Sequence, residues 1–454
     1  MSNPDHSERW NPYRLIASVL IFGYLCNSRS FAHLGAAPIY IGELGLFAFV
    51  ATAPNQLFRL GVGSLLRRTA FTGLAWCVGL FIVYGLLELL RGIGAGFDKG
   101  VALQNIVFNV YTLFLLPGIL IGLHFPDFLE RLIGPLAWIH GIIGFLFVTL
   151  FTRLGWVDTF ADSQEVVRLF STPYGSAISM IGLICFRKDL RRYAIPFLLN
   201  AFVMLGVQLR AEWLGFAVVI PIASVLSGQT RQFLRVCLLL GLLLLVGLIT
   251  NFHIASPGRR GGEISSRALV GRAVAAVSPE LAAQINPQSA EFSKTISWRK
   301  EWWKSLIAHT NKTFSGAMLG PGYGFPIWEY NPLENFGKIK NRTPHNVLVY
   351  ALSYTGWIGV ALFVAVQLAL FRCLWASFRT SGQAFGLCLW GYGLVYAMFS
   401  NYMEAPFGAI PFYLMLGISL APGSGSRANS VPPIVGTTTL LEDTPQHETD
   451  CTEL

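Results

Sequence analysis

Arg342-Thr343-Pro344-His345-Asn346 runs without interruption into the apolar stretch Val347 to Phe371. A polar pentapeptide at the mouth of an apolar run of that length marks a chain passing from water into a membrane. One crossing takes roughly 20 apolar residues. Within the pentapeptide, Pro344 restrains the backbone before His345, and Asn346 is placed to cap the helix that follows. A His beside an Arg at a helix start is a compact way to hold a base next to a cation, because neutral imidazole accepts a proton near pH 7.

Composition extends that reading to the whole chain. Of 454 residues, 53% are hydrophobic and 13% are charged, whereas a soluble domain carries about 25% charged residues. The class is therefore an integral membrane protein. The net charge of +9 does not call for nucleic acid as a partner, since membrane loops collect Lys and Arg for topological reasons. Six of the seven cysteines fall in or beside apolar runs, Cys451 lies in the tail and none is in the long polar segment, so they read as small packing residues. The N-terminus reads as a retained first helix, with no cleavable signal.

Twelve candidate spans follow, at about 14–28, 36–53, 70–90, 103–123, 132–152, 174–186, 193–209, 213–227, 233–250, 346–371, 383–400 and 406–421. Placing the N-terminus inside collects Arg59, Arg67, Arg68, Arg131, Arg187, Lys188, Arg191, Arg192, Arg231, Arg235, Arg372 and Arg379 on the cytoplasmic side. That asymmetry favours both termini inside and residues 251–345 outside. The expected organisation is a transmembrane bundle over 1–250, an outer loop domain over 251–345, further spans over 346–421, and a flexible cytoplasmic tail over 422–454. Within the outer loop, 267–277 reads as a short helix and 293–309 as a stronger one, with Trp298, Trp302 and Leu306 on one side. Those rings suit either the bilayer interface or the outer ends of the spans.

Gly320-Pro321-Gly322-Tyr323-Gly324 upstream of the pentapeptide and Thr355-Gly356-Trp357-Ile358-Gly359 downstream complete a pattern. It resembles the C-terminal signature of the O-antigen ligase and polymerase superfamily, membrane glycosyltransferases that use undecaprenyl-pyrophosphate-linked glycans. The resemblance implies an all-α, polytopic GT-C-type bundle in the bacterial inner membrane, with its active site facing the periplasm. It implies His345 as catalytic base, Arg210, Arg299 and Arg342 as pyrophosphate ligands, and lipid A-core or another glycan as acceptor. Arg210 departs from the family pattern, which usually has Ser before the Arg where this chain has Leu209. Glu404 and Asn346 are supporting candidates. Glu404 would share the outer side with His345 and would either orient it or stand as an exposed loop carboxylate.

No Asp-x-Asp occurs, and a divalent ion bridging a pyrophosphate wants one or two carboxylates. No metal or other cofactor is therefore expected, and arginine is expected to neutralise the leaving group. Glu43, inside the second apolar run, is a functional hypothesis by position alone. A polymerase, a protein O-oligosaccharyltransferase, and a transporter or glycan flippase are the competing readings. The last would need internal repeats or helices broken at the bilayer midplane.

Overall fold

The computed structural model describes residues 12–36, 39–52, 69–151, 158–159, 166–167, 173–207, 209–251, 253–255, 263–275, 278–287, 291–332 and 343–421. Arg342 and the tail over 422–454 lie outside these residues, as do Arg59, Arg67 and Arg68.

Among the described residues, each of the twelve apolar runs contains helix, the second only after the strand pair of Gly35–Ala36 with Ile39–Tyr40. The first half comprises α1 (Pro12–Ala32), α2 (Ile41–Thr52), α3 (Thr69–Gly94), α4 (Lys99–Asn105), α5 (Val107–Val110), a 3-10 turn (Tyr111–Phe114), α6 (Leu115–His124) and α7 (Phe128–Leu146). Then come α8 (Pro173–Cys185), α9 (Ala194–Val207), α10 (Arg210–Leu226) and α11 (Thr230–Ile249). Strand is confined among the described residues to three small antiparallel pairs, at 35–40, 158–167 and 253–265. Among the described residues, five helical stretches are long and apolar enough to cross a membrane: Phe71–Gly94, Lys99–His124, Phe128–Leu150, Thr230–Ile249 and Val347–Ser381.

The polar segment holds α12 (Ser266–Val274), α13 (Pro279–Ile285), α14 (Glu291–Thr310), α15 (Phe314–Leu319) and a 3-10 turn at Ile327–Tyr330. Serines start the first two: Ser265 accepts from Ala268 N–H, and Ser278 from Leu281 N–H. Each serine hydroxyl thereby gives one of the unpaired backbone N–H groups of the helix start an acceptor. The chain then re-enters apolar sequence through α16 (Val347–Ser381), α17 (Phe385–Ala397) and α18 (Pro406–Leu420).

The core is built around α18. Its residues are buried almost all round, as expected of a helix without a polar face. It packs on α6, α1, α17 and α16. The α6–α18 crossing is close because it is made by glycines: a Cβ on Gly118 would sit 2.3 Å from the Leu414 carbonyl oxygen. By contrast α11 exposes Leu238, Leu242, Leu245 and Ile249, the pattern of a helix facing hydrocarbon.

Two apolar runs that read as continuous in sequence are broken. The 103–123 run changes from α-helix to 3-10 geometry and back between Asn105 and Leu115, where Asn105 and Asn109 are buried. Their side chains draw backbone and phenol partners into the bundle: Gly324 N–H donates to Asn105 Oδ1 at 3.1 Å, and the Tyr323 hydroxyl donates to Asn109 Oδ1. The second break is at Gly356 in α16, where φ is +63°. In both cases the break is tolerated because the freed backbone groups are satisfied by neighbours.

Candidate active site

The glycine motifs flanking the pentapeptide clasp each other. Gly320, Gly322 and Gly324 all have positive φ, which a residue with a Cβ rarely adopts. Gly322 N–H donates to the Tyr354 carbonyl at 2.9 Å, and the Tyr84 hydroxyl donates to the Thr355 carbonyl at 2.8 Å. Both carbonyls lie immediately before Gly356, where α16 departs from helical geometry. A Cβ on Gly320 would lie 2.5 Å from the Tyr354 oxygen, and one on Gly356 would lie 2.4 Å from the Met318 oxygen. Small residues are required on both sides of the contact.

A charged pair that the sequence reading did not single out locks this clasp. Glu88, 1% exposed, accepts from Arg91 at 2.6 Å. Arg91 in turn donates to the Leu319 carbonyl at 3.0 Å and the Gly320 carbonyl at 2.6 Å. The signal was present in Leu86-Leu87-Glu88-Leu89-Leu90-Arg91: opposite charges three residues apart share a helix face, and an apolar helix carries them only for a reason.

Below the clasp, His345 has φ +57°. This is a left-handed conformation that costs a residue with a Cβ about 1–2 kcal/mol and in which His is enriched. Local bonds offset that cost. Asn346 caps α16 as the sequence suggested, its Oδ1 accepting from Leu348 and Val349 N–H, each at 3.0 Å. Its Nδ2 donates to the Met398 carbonyl at 3.1 Å. Arg299 donates to the next carbonyl along, Phe399, at 3.0 Å. Two adjacent carbonyls of the 398–405 turn are thus held from two sides, by the helix cap beside His345 and by a guanidinium of α14.

The tryptophan stripe of α14 is turned towards protein. Trp302 is fully buried and donates to the Ile327 carbonyl at 3.1 Å, while Trp298 donates to Asn331 Oδ1 at 2.7 Å. The packed alternative therefore holds for these rings, and the bilayer-interface alternative does not.

Glu404 occupies the same turn as Met398 and Phe399. It is 6% exposed, which corrects the reading of it as an exposed loop carboxylate. Burial pushes its carboxyl up to about 8, eased only by the backbone N–H groups of Glu404 itself and Met403. It lies within electrostatic range of Tyr350, one turn into α16 from Asn346. Arg210 begins α10, whose Glu212 is fully buried within electrostatic range of Tyr392 and Tyr402. Arg210 thus enters at the same end of the bundle, two residues from a carboxyl that neighbours the 398–405 turn. Glu43 is accounted for locally: it accepts from the Tyr111 hydroxyl at 2.6 Å and from Tyr40 N–H at 3.0 Å. Among the described residues, no group of three or more His, Cys, Asp or Glu is placed to hold a metal ion.

A family model described as O-antigen ligase matches residues 195–364. Over those residues the chain is similar to the O-antigen ligase family. The matched stretch runs from α9 to the middle of α16, and so holds Arg210, Arg299, Arg342 and His345 together with both glycine motifs. The matched stretch leaves outside it two of the groups that clamp it, the Glu88–Arg91 pair and the turn carrying Glu404. No curated protein matches the chain.

Proposed function

We propose that the chain is an O-antigen ligase-like glycosyltransferase. It moves a glycan from undecaprenyl pyrophosphate to an acceptor hydroxyl, lipid A-core in the first instance, by a single inverting and metal-independent displacement. The observation that supports this most is the convergence at one end of the bundle. The His345 helix start and Arg299 grip adjacent carbonyls of the turn that buries Glu404. A base, a permanent cation and a second titratable group thereby share a small region.

In this reading His345 takes the proton from the acceptor hydroxyl as the oxygen attacks the anomeric carbon. The glycosidic carbon–oxygen bond breaks, and its electron pair leaves on the pyrophosphate. Arg299, Arg210 and Arg342 carry that growing negative charge, for which the planar, always-charged guanidinium is well suited. Arg299 would exchange its hold on the Phe399 carbonyl for phosphate oxygens. Asn346 orients His345 through the helix cap, and Glu404 is a neutral hydrogen-bonding group at pH 7 that stands second as acid or base.

All twelve helical runs would cross the inner membrane, with residues 251–345 forming a periplasmic domain between the bundles 1–250 and 346–421, and with 422–454 as a cytoplasmic tail. The Lys and Arg asymmetry supports that orientation. The decisive experiment supplies purified protein in detergent with undecaprenyl-pyrophosphate-linked oligosaccharide and, in parallel, lipid A-core, a second carrier-linked unit or a protein acceptor. Product mass identifies the acceptor. Turnover on lipid A-core without a membrane gradient supports a ligase. Chain extension would make the protein a polymerase, glycan on the protein acceptor an oligosaccharyltransferase, and no transfer at all would remove the enzyme reading.

A further inference from the structure

Helix α14 presents two stripes side by side. Trp298, Trp302 and Leu306, spaced four apart, anchor it, with the two indoles bonded to the segment at 327–331. Arg299 and Trp303, also four apart and rotated by one residue, face the other way in bonding terms. Arg299 reaches the Phe399 carbonyl, and the Trp303 indole N–H donates to the Pro344 carbonyl at 2.7 Å. That carbonyl belongs to the peptide joining Pro344 to His345, immediately before the backbone torsion of +57°.

We infer that Trp303 is a positioning residue for His345. Its indole N–H fixes the plane of the Pro344–His345 peptide, and with it the direction in which the imidazole leaves the backbone. The carbonyl of that peptide is the point that α14 holds. On the other side, Asn346 is tied down by its cap bonds and by Met398. His345 is therefore suspended between two fixed points, one supplied by α16 and one by α14. Because Arg299 lies one turn before Trp303 on α14, the same rigid helix sets the spacing between a phosphate-binding cation and the base. A misplaced base costs up to about a hundredfold in rate without a matching loss of ground-state binding.

The inference rests on His345 acting as base, and the test separates the two. Trp303→Phe keeps the ring and removes the N–H. Trp302→Phe makes the same chemical change one residue away, at an indole bonded to Ile327 and not to the motif. Each full-length variant is purified in detergent and assayed with undecaprenyl-pyrophosphate-linked oligosaccharide and lipid A-core, and amide hydrogen exchange is followed by mass. Trp303→Phe should lower kcat by roughly ten- to a hundredfold, leave the donor KM within about twofold, and speed exchange over residues 343–350. Trp302→Phe should speed exchange over 325–331 and keep kcat near the parental value. A parental kcat in Trp303→Phe, unchanged exchange over 343–350, or equal losses in both variants would overturn the inference. His345→Ala alone tests the base: if it turns over at the parental rate, the reading of His345 falls and the catalytic part of this inference falls with it.

Discussion

Glu404→Gln isolates the cost of the carboxyl buried in the turn beside His345. Its pKa is raised from 4.5 to about 8, chiefly by burial. Between those values the folded protein keeps a proton that the unfolded chain has released, so its stability falls as pH rises through that window. Below 4.5 both states are protonated and the cost is absent; above 8 both are ionised and the cost is constant. One pH unit is worth about 1.4 kcal/mol, so the full cost is on the order of 4–5 kcal/mol for a group only 6% exposed. Glutamine is neutral throughout and does not incur it.

The assay is thermal unfolding in detergent of parent and variant, at pH values below 4.5, midway, and above 8. The advantage of the glutamine variant should be smallest in acid, grow through the window and then level off. An advantage independent of pH would show that the carboxyl does not titrate there. A parent that gains over the variant as pH rises would mean a carboxylate held by a cation such as Arg299. Either result refutes burial as the controlling effect.

Other perturbations address the chemistry. His345→Gln keeps size and hydrogen bonding but not basicity, and transfer should fall by roughly 10²–10⁴-fold with donor binding retained; parental turnover would pass the role of base to Glu404. Arg299→Lys and Arg210→Lys keep charge but lose the bidentate fork, so both should raise donor KM and lower kcat severalfold or more. Near-normal kinetics in both would make these arginines structural. Activity should survive chelation by EDTA; abolition followed by rescue with magnesium or manganese would overturn the arginine-only account of the leaving group. Arg91→Met should destabilise folding, because it leaves buried Glu88 uncompensated and frees the Leu319 and Gly320 carbonyls. Loss of a buried partner of this kind costs about 3–5 kcal/mol, and an unchanged unfolding midpoint would contradict the clasp.

The sequence alone determined the helices and the point of entry at Asn346, because both are local. Apolar runs of membrane length have few alternatives to helix, and an Asn before such a run caps it with its own side chain. It also drew attention to His345, Arg299 and the two glycine motifs, whose spacing is written along the chain. Tertiary structure decided what these residues meet. That Gly320 needs no side chain because Tyr354 and Gly356 lie against it depends on a contact between segments more than 30 residues apart. The breaks at Asn105–Asn109 and Gly356 are invisible to hydropathy, since they arise where hydroxyls from other helices take up backbone carbonyls, Tyr350 that of Asn105 and Tyr84 that of Thr355. Glu404 illustrates the same limit most plainly. A carboxylate in a short polar turn reads as solvated, and only the packing of α14, α16 and α18 around that turn removes the water that would have kept it charged.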